Sequence, residues 1–150
     1  MKKNPTGVFC TNKKFIVNEN EKKVTCVFSY TLLCNKNNPL LIFDDRTFRK
    51  LCPELFYRYP QFPNFTAVAV AKMSDEDKNN YEFDVEFGKK LALTKAQSKA
   101  FDTANFVYWS IIDEINIYTD KIDEFLHGTA NSYDVERRHE EELVNKKYSD

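Results

Sequence analysis

The residues best placed to do chemistry in this sequence are charged groups spaced for contact with a partner, not for catalysis. Lys89, Lys90, Lys95 and Lys99 crowd one stretch, and Lys95 and Lys99 are one helical turn apart. With Phe and Tyr nearby, such lysines could follow a nucleic-acid backbone or hold a nucleotide phosphate. The same pattern describes the solvent face of an amphipathic helix. Further on, Asp113, Glu114, Asp120, Asp123 and Glu124 line the polar side of a helical segment, and Glu140-Glu141-Glu142 follows. An acidic surface of this kind could enter a basic groove on a partner, as nucleic-acid mimics do. Its bland reading is a solubilising face.

Other clusters fail the geometry their chemistry needs. Asp75, Glu76 and Asp77 are adjacent, whereas an EF-hand loop needs alternating Asp/Asn, a Gly and a Glu at the twelfth position. Asp44-Asp45 reads as a helix cap. Cys10, Cys26, Cys34 and Cys52 contain no Cys-x-x-Cys pair, and His127 and His139 lie far from them. Zinc sites usually draw ligands from close pairs, so reduced, buried thiols are expected. A thiol nucleophile would need one of those histidines folded back onto the N-terminal region. There is no Gly-x-Ser-x-Gly elbow and no His-Glu-x-x-His. The three glycines are scattered at 7, 88 and 128, so no Gly-rich phosphate loop can form. These absences predict a protein that is not an enzyme and carries neither cofactor nor metal.

Composition sets the frame for those groups. A length of 150 residues suits one domain, and thirteen Phe, eight Tyr and one Trp are enough for a core without staples. Lys+Arg (22) almost balances Asp+Glu (23), so no net field draws in nucleic acid or an anionic membrane. Seventeen of the basic residues are Lys, the weaker choice for bidentate phosphate contacts. No apolar stretch of signal-peptide or membrane-spanning length is present, so a cytoplasmic protein without membrane contact is expected.

The elements that must position these groups read as α+β. Residues 8–33 form a predicted β-hairpin. Val24, Cys26, Phe28 and Tyr30 alternate with polar neighbours on one arm, Phe9, Phe15 and Val17 face them, and Asn18-Glu19-Asn20-Glu21 is the turn. Cys34 to Pro39 reads as a loop and Leu40 to Phe43 as a possible strand. Asp44 or Asp45 caps a short helix limited by Pro53. Leu55 to Pro63 reads as an aromatic loop. Phe65 to Lys72 is a predicted buried strand, uncharged until its end, with both faces coverable. Ser74 to Asn80 reads as an exposed loop.

From Asp84, a plausible N-cap, the period turns helical. Phe101, Ala104, Tyr108, Ile111, Ile115, Ile122 and Phe125 recur at three-, four- and seven-residue steps. The span 85–127 holds no Pro and could be one helix or two broken near Asp102-Thr103. Gly128 is a predicted C-cap. The stripe fits either an intramolecular core or a homodimer seam through 101–127. Residues 1–130 thus form one α+β domain, with three to five antiparallel strands covered by a short helix and one or two long C-terminal helices. Residues 131–150 form a polar tail or marginal helix.

One stretch has a familiar look. Ala69-Val70-Ala71-Lys72-Met73-Ser74-Asp75-Glu76-Asp77, followed by Phe83-Asp84-Val85-Glu86-Phe87-Gly88-Lys89-Lys90-Leu91-Ala92, resembles a strand–loop–helix module of small Firmicutes phage and prophage proteins. The usual form is Ala-Lys-Cys-(Ser/His)-Pro-Glu-Asp-x-Phe-Asp-x-x-x-Gly-x-x-Leu-Ala after a hairpin. Here Met73 replaces the Cys, Asp75 replaces the Pro, residues 78–82 lengthen the loop, and the Arg that usually follows is missing. The resemblance covers about 25 residues and implies a source and a fold fragment, with no mechanism attached. Gly88 within the helix implies a close approach to the small-residue strand. Together these readings predict a non-enzymatic phage or prophage accessory protein. It would bind and block a host protein, with an anti-defence, anti-CRISPR-like inhibitor as the specific form. The alternative is a nucleic-acid or nucleotide binder using the Lys89–Lys99 face.

Overall fold

The computed structural model describes residues 6–32 and 44–149. The chain divides into two compact units, Met1–Ile111 and Ile112–Asp150. Three strands lie in the first: β1 (Phe9–Asn18), β2 (Lys23–Thr31) and β3 (Asn64–Lys72). They form an antiparallel sheet in the order β1-β2-β3. The helices are α1 (Asp45–Leu51), α2 (Pro53–Arg58), α3 (Asp75–Asn80) and α4 (Val85–Tyr148). The α+β expectation holds, with three strands among the described residues and one long C-terminal helix. The candidate loop 34–39 and strand 40–43 fall outside the described residues.

The hairpin follows the alternating pattern of its sequence. Register runs from Phe9↔Thr31 to Asn18↔Lys23, with a bulge between Cys10 and Asn12. At the turn, the Asn18 side chain accepts from the Glu21 backbone N–H at 3.0 Å, a local bond suited to Asn. Val24, Cys26, Phe28 and Tyr30 are all buried on β2. Strand β3 corrects the sequence reading. It alternates strictly, with Phe65, Ala67, Ala69 and Ala71 buried and Thr66, Val68 and Val70 exposed. An uncharged run suggested two covered faces, but exposed valines are compatible with a sheet covered on one side only.

Side-chain caps start α1, α3 and α4. The Asp44 carboxylate accepts from the Thr47 N–H at 2.6 Å, and this bond holds its pKa below the usual carboxylate value. Asp84 accepts from the Phe87 N–H at 3.0 Å, as its sequence position implied. Two segments read as loops are helical. Ser74 caps α3 by accepting from the Asp77 N–H at 3.1 Å, and Pro53 opens α2 at the position where its missing N–H costs nothing.

Helix α4 has no break at Asp102-Thr103 and no cap at Gly128. Gly128 does not adopt the left-handed conformation a C-cap requires. It costs about 1 kcal/mol against alanine, and good helix formers such as Glu140 to Glu142 carry the helix on to Tyr148. The stretch 131–150, read as a polar tail or marginal helix, is helical as far as Tyr148.

The buried side of α4 in the first unit is a ladder of small residues. Gly88, Ala92, Ala96, Ala100 and Ala104 are buried at four-residue steps, followed by Val107 and Ile111. Small side chains let the helix come close to the sheet. A Cβ on Gly88 would stand 2.8 Å from Val24 Cγ2. The close approach is thus to β2, where a glycine inside the helix had suggested the small-residue strand β3. Tyr30 is buried on β2, and Tyr108 donates to the Gly7 carbonyl at 3.0 Å. Burial raises the pKa of both phenols.

At the other end of the sheet an aromatic cluster closes the core. Tyr30 stacks on Phe65 with centroids 5.6 Å apart, while Tyr59 and Phe62 meet Phe65 edge-on. Phe62 also contacts Phe48 of α1 and Phe56 of α2, which ties both short helices to the sheet.

Candidate binding site

The four lysines singled out by spacing do not form one open cationic face. Lys89 lies 3.6 Å from Glu86 and 6.0 Å from the centroid of the Phe15 ring on β1. Lys95 donates to the Val70 carbonyl at 3.3 Å and Lys99 to the Val68 carbonyl at 2.7 Å. Both therefore sit on the rim of β3. Lys90 is exposed on α4. The helix thus sends Lys89 to one side of the sheet and Lys95 and Lys99 to the other. That split follows from its course over β2, which periodicity along one helix could not reveal.

The acidic set lies in the second unit. Asp113, Asp120, Asp123 and Glu124 are exposed, whereas Glu114 is buried at 8% relative exposure. Every described residue from 116 to 149 is exposed. The apolar positions here are therefore bare: Ile122 is 66% exposed, Phe125 75% and Leu126 63%. With 3.6 residues per turn, Ile115, Tyr118, Ile122, Phe125 and Leu126 share one face. Asp113, Asp120 and Glu124 fall on the opposite side, and Asp123 lies on the flank next to Leu126. Of the stripe read from sequence, Ala104 and Ile111 belong to the core of the first unit, while Phe101, Ile122 and Phe125 are exposed. The sequence alone could not sort them, since spacing does not show which turns meet the sheet.

Two surface hollows accompany these groups in the first unit. One, of about 400 Å³, is lined by Met73, Tyr81, Phe83, Phe87, Gly88 and Leu91 together with Lys72 and three acidic residues. It was not legible in the sequence, because its walls come from β3, α3 and the start of α4. The other, of about 580 Å³, runs beside β3 between Val70, Thr94, Lys95, Ser98 and Lys99.

Among the described residues no group of three or more His, Cys, Asp or Glu side chains is placed to hold a metal ion. His127 Nδ1 lies 2.8 Å from the Asp123 carbonyl, a bond within its own helix. Cys26 and Cys52 are fully buried and Cys10 is exposed. Desolvation raises the Cys26 thiol pKa, which lowers its thiolate fraction near neutrality. In a Cys34→Ser background, Ellman's reagent should therefore modify Cys10 rapidly and Cys26 and Cys52 only on unfolding. Fast modification of two or more thiols in the folded protein would contradict that burial.

Among the described residues, no helix is long and apolar enough to cross a membrane. The architecture is that of an α+β protein with a three-stranded antiparallel sheet and a long C-terminal helix. Comparison with protein families, with characterised proteins and with solved structures returns no match.

Proposed function

We propose that this chain is a non-enzymatic binding protein that acts by occupying a protein partner, engaged through residues 112–126 of α4. The observation that carries this reading is the amphipathic character of an exposed helix. Ile122, Phe125 and Leu126 are each more than 60% exposed, with Asp113, Asp120 and Glu124 on the opposite side of the helix. Helices of this kind lay their apolar face into a groove, using anchors at three-, four- and seven-residue steps. The acidic back suits a groove with a basic rim. The resemblance of residues 69–92 to phage modules supports a host component as the partner, with the host's defence machinery as the first candidate to try.

The test uses the full chain and an Ile122→Asp/Phe125→Asp variant as paired baits in a lysate of a low-GC bacterium. The captured partner is then purified and its affinity measured. Two lost apolar anchors should weaken binding by about a hundredfold or more. The variant alters exposed positions, so an unchanged circular dichroism spectrum would show that the fold is intact. Equal affinity of both baits would overturn the reading. Self-association through the same stripe would appear as a dimer in light scattering, lost in the variant. Recovery of nucleic acid alone, bound in a salt-dependent way, would favour the Lys89–Lys99 reading instead.

A further inference from the structure

Among the described residues the outer edge of β3 has no neighbouring strand, and it carries its own charge code. The register shows which backbone groups face outward. At the two ends of the β2–β3 ladder, Leu32 N–H donates to the Pro63 carbonyl and Met73 N–H to the Lys22 carbonyl, both at 3.1 Å. Position 63 and position 73 are odd-numbered, and in an antiparallel pair alternate residues turn their backbone groups to opposite sides. The even-numbered residues Thr66, Val68 and Val70 therefore point away from β2. Because β3 is last in the strand order, no described strand lies beyond them.

What does reach that edge is a pair of ammonium groups. Lys99 donates to the Val68 carbonyl at 2.7 Å and Lys95 to the Val70 carbonyl at 3.3 Å. Four residues of helix rise about 6 Å, and two residues of strand about 6.7 Å, so the two spacings match. The hollow of about 580 Å³ beside Val70, Thr94, Lys95, Ser98 and Lys99 leaves room along the edge. On the other face of β3, the Val68 and Val70 side chains stand 47% and 43% exposed.

We infer that this edge accepts an extended partner segment as a fourth strand, one that alternates acidic and β-branched apolar residues. Carboxylates on the α4 side of the added strand would draw Lys95 and Lys99 off the Val68 and Val70 carbonyls. Those carbonyls and their N–H groups then pair with the incoming backbone. Apolar side chains on the other side pack beside Val68 and Val70. Main-chain bonds supply the affinity, and the alternating side chains supply the choice of partner. A second copy of this chain is excluded as the occupant, since edge-to-edge pairing would bring two sets of Lys95 and Lys99 together. The edge uses none of residues 112–126, so this inference and the proposed function stand or fall independently.

The probe is a fluorescein-labelled decapeptide alternating valine and glutamate, followed by anisotropy with the full-length protein. Three control peptides replace glutamate by lysine, place a proline in the centre, or scramble the order. Saturable binding is expected for the alternating glutamate peptide alone. It should weaken about tenfold in Lys95→Glu/Lys99→Glu, as expected for losing two exposed ion pairs. That variant should in turn bind the valine–lysine peptide. Amide exchange at Val68 and Val70 should slow when the glutamate peptide binds. Absence of binding at low salt would mean that the lysines only protect the edge, and would overturn the inference. Equal binding of the proline or scrambled peptide would also overturn it, because charge without strand pairing would then suffice.

Discussion

Replacing Phe65 by alanine should cost about 3–5 kcal/mol of folding stability, the range for deleting a buried aromatic ring. Phe65 is 6% exposed and sits where the sheet meets the aromatic cluster. Its ring stacks on Tyr30 with an interplanar angle of 19° and receives Tyr59 and Phe62 edge-on at 71° and 75°. Alanine removes all three ring contacts at once and leaves a cavity between β3 and the segment that ends α2. A domain of this size is stable by roughly 5–15 kcal/mol, so the loss is a large share of the whole. Urea denaturation followed by tryptophan fluorescence and by far-ultraviolet circular dichroism measures it. Phe65→Leu, which keeps apolar volume but loses the ring geometry, should lose markedly less than Phe65→Ala. A loss below about 1 kcal/mol for Phe65→Ala would show that this cluster is not closing the core.

The second large effect is a reversal of sign. Gly88→Ala in an ordinary helix should stabilise by about 1 kcal/mol, because alanine is the better helix former. Here the new Cβ would meet Val24 Cγ2 at 2.8 Å, and Val24 is fully buried and stiff at χ1. Overpacking of this kind costs about 1–3 kcal/mol, enough to cancel the gain and make Gly88→Ala destabilising. Removing the obstructing methyl with Val24→Ala should restore the favourable sign. The double-mutant cycle should then show a coupling energy of about 1–2 kcal/mol between the two positions. If Gly88→Ala stabilises the protein equally in both backgrounds, α4 does not approach β2 as closely as described.

Both predictions rest on contacts that differ in how far the sequence foretold them. The alternation of Val24, Cys26, Phe28 and Tyr30 was legible because a strand repeats every two residues. So were the caps at Asp44 and Asp84, because a cap acts within three residues. The Pro53 start of α2 and the Ser74 cap of α3 were just as local, but Pro-rich and Asp/Asn-rich runs also suit loops, and composition favoured the wrong choice. Gly128 misled for a related reason. A glycine ends a helix only when its backbone turns left-handed, and residue type does not dictate that turn.

The candidate surfaces show the same division. The sequence by itself determined which residues are charged, which are apolar, and that both recur at helical spacing along 85–127. Only the tertiary structure decided their roles. It placed Lys95 and Lys99 on the rim of β3 and Lys89 beside β1. It buried Ala104 and Ile111 while leaving Ile122 and Phe125 bare. The physical reason is that periodicity describes one helix about its own axis. Which turns of that helix meet the sheet depends on β2 and β3, whose residues lie about twenty to ninety positions away in the chain.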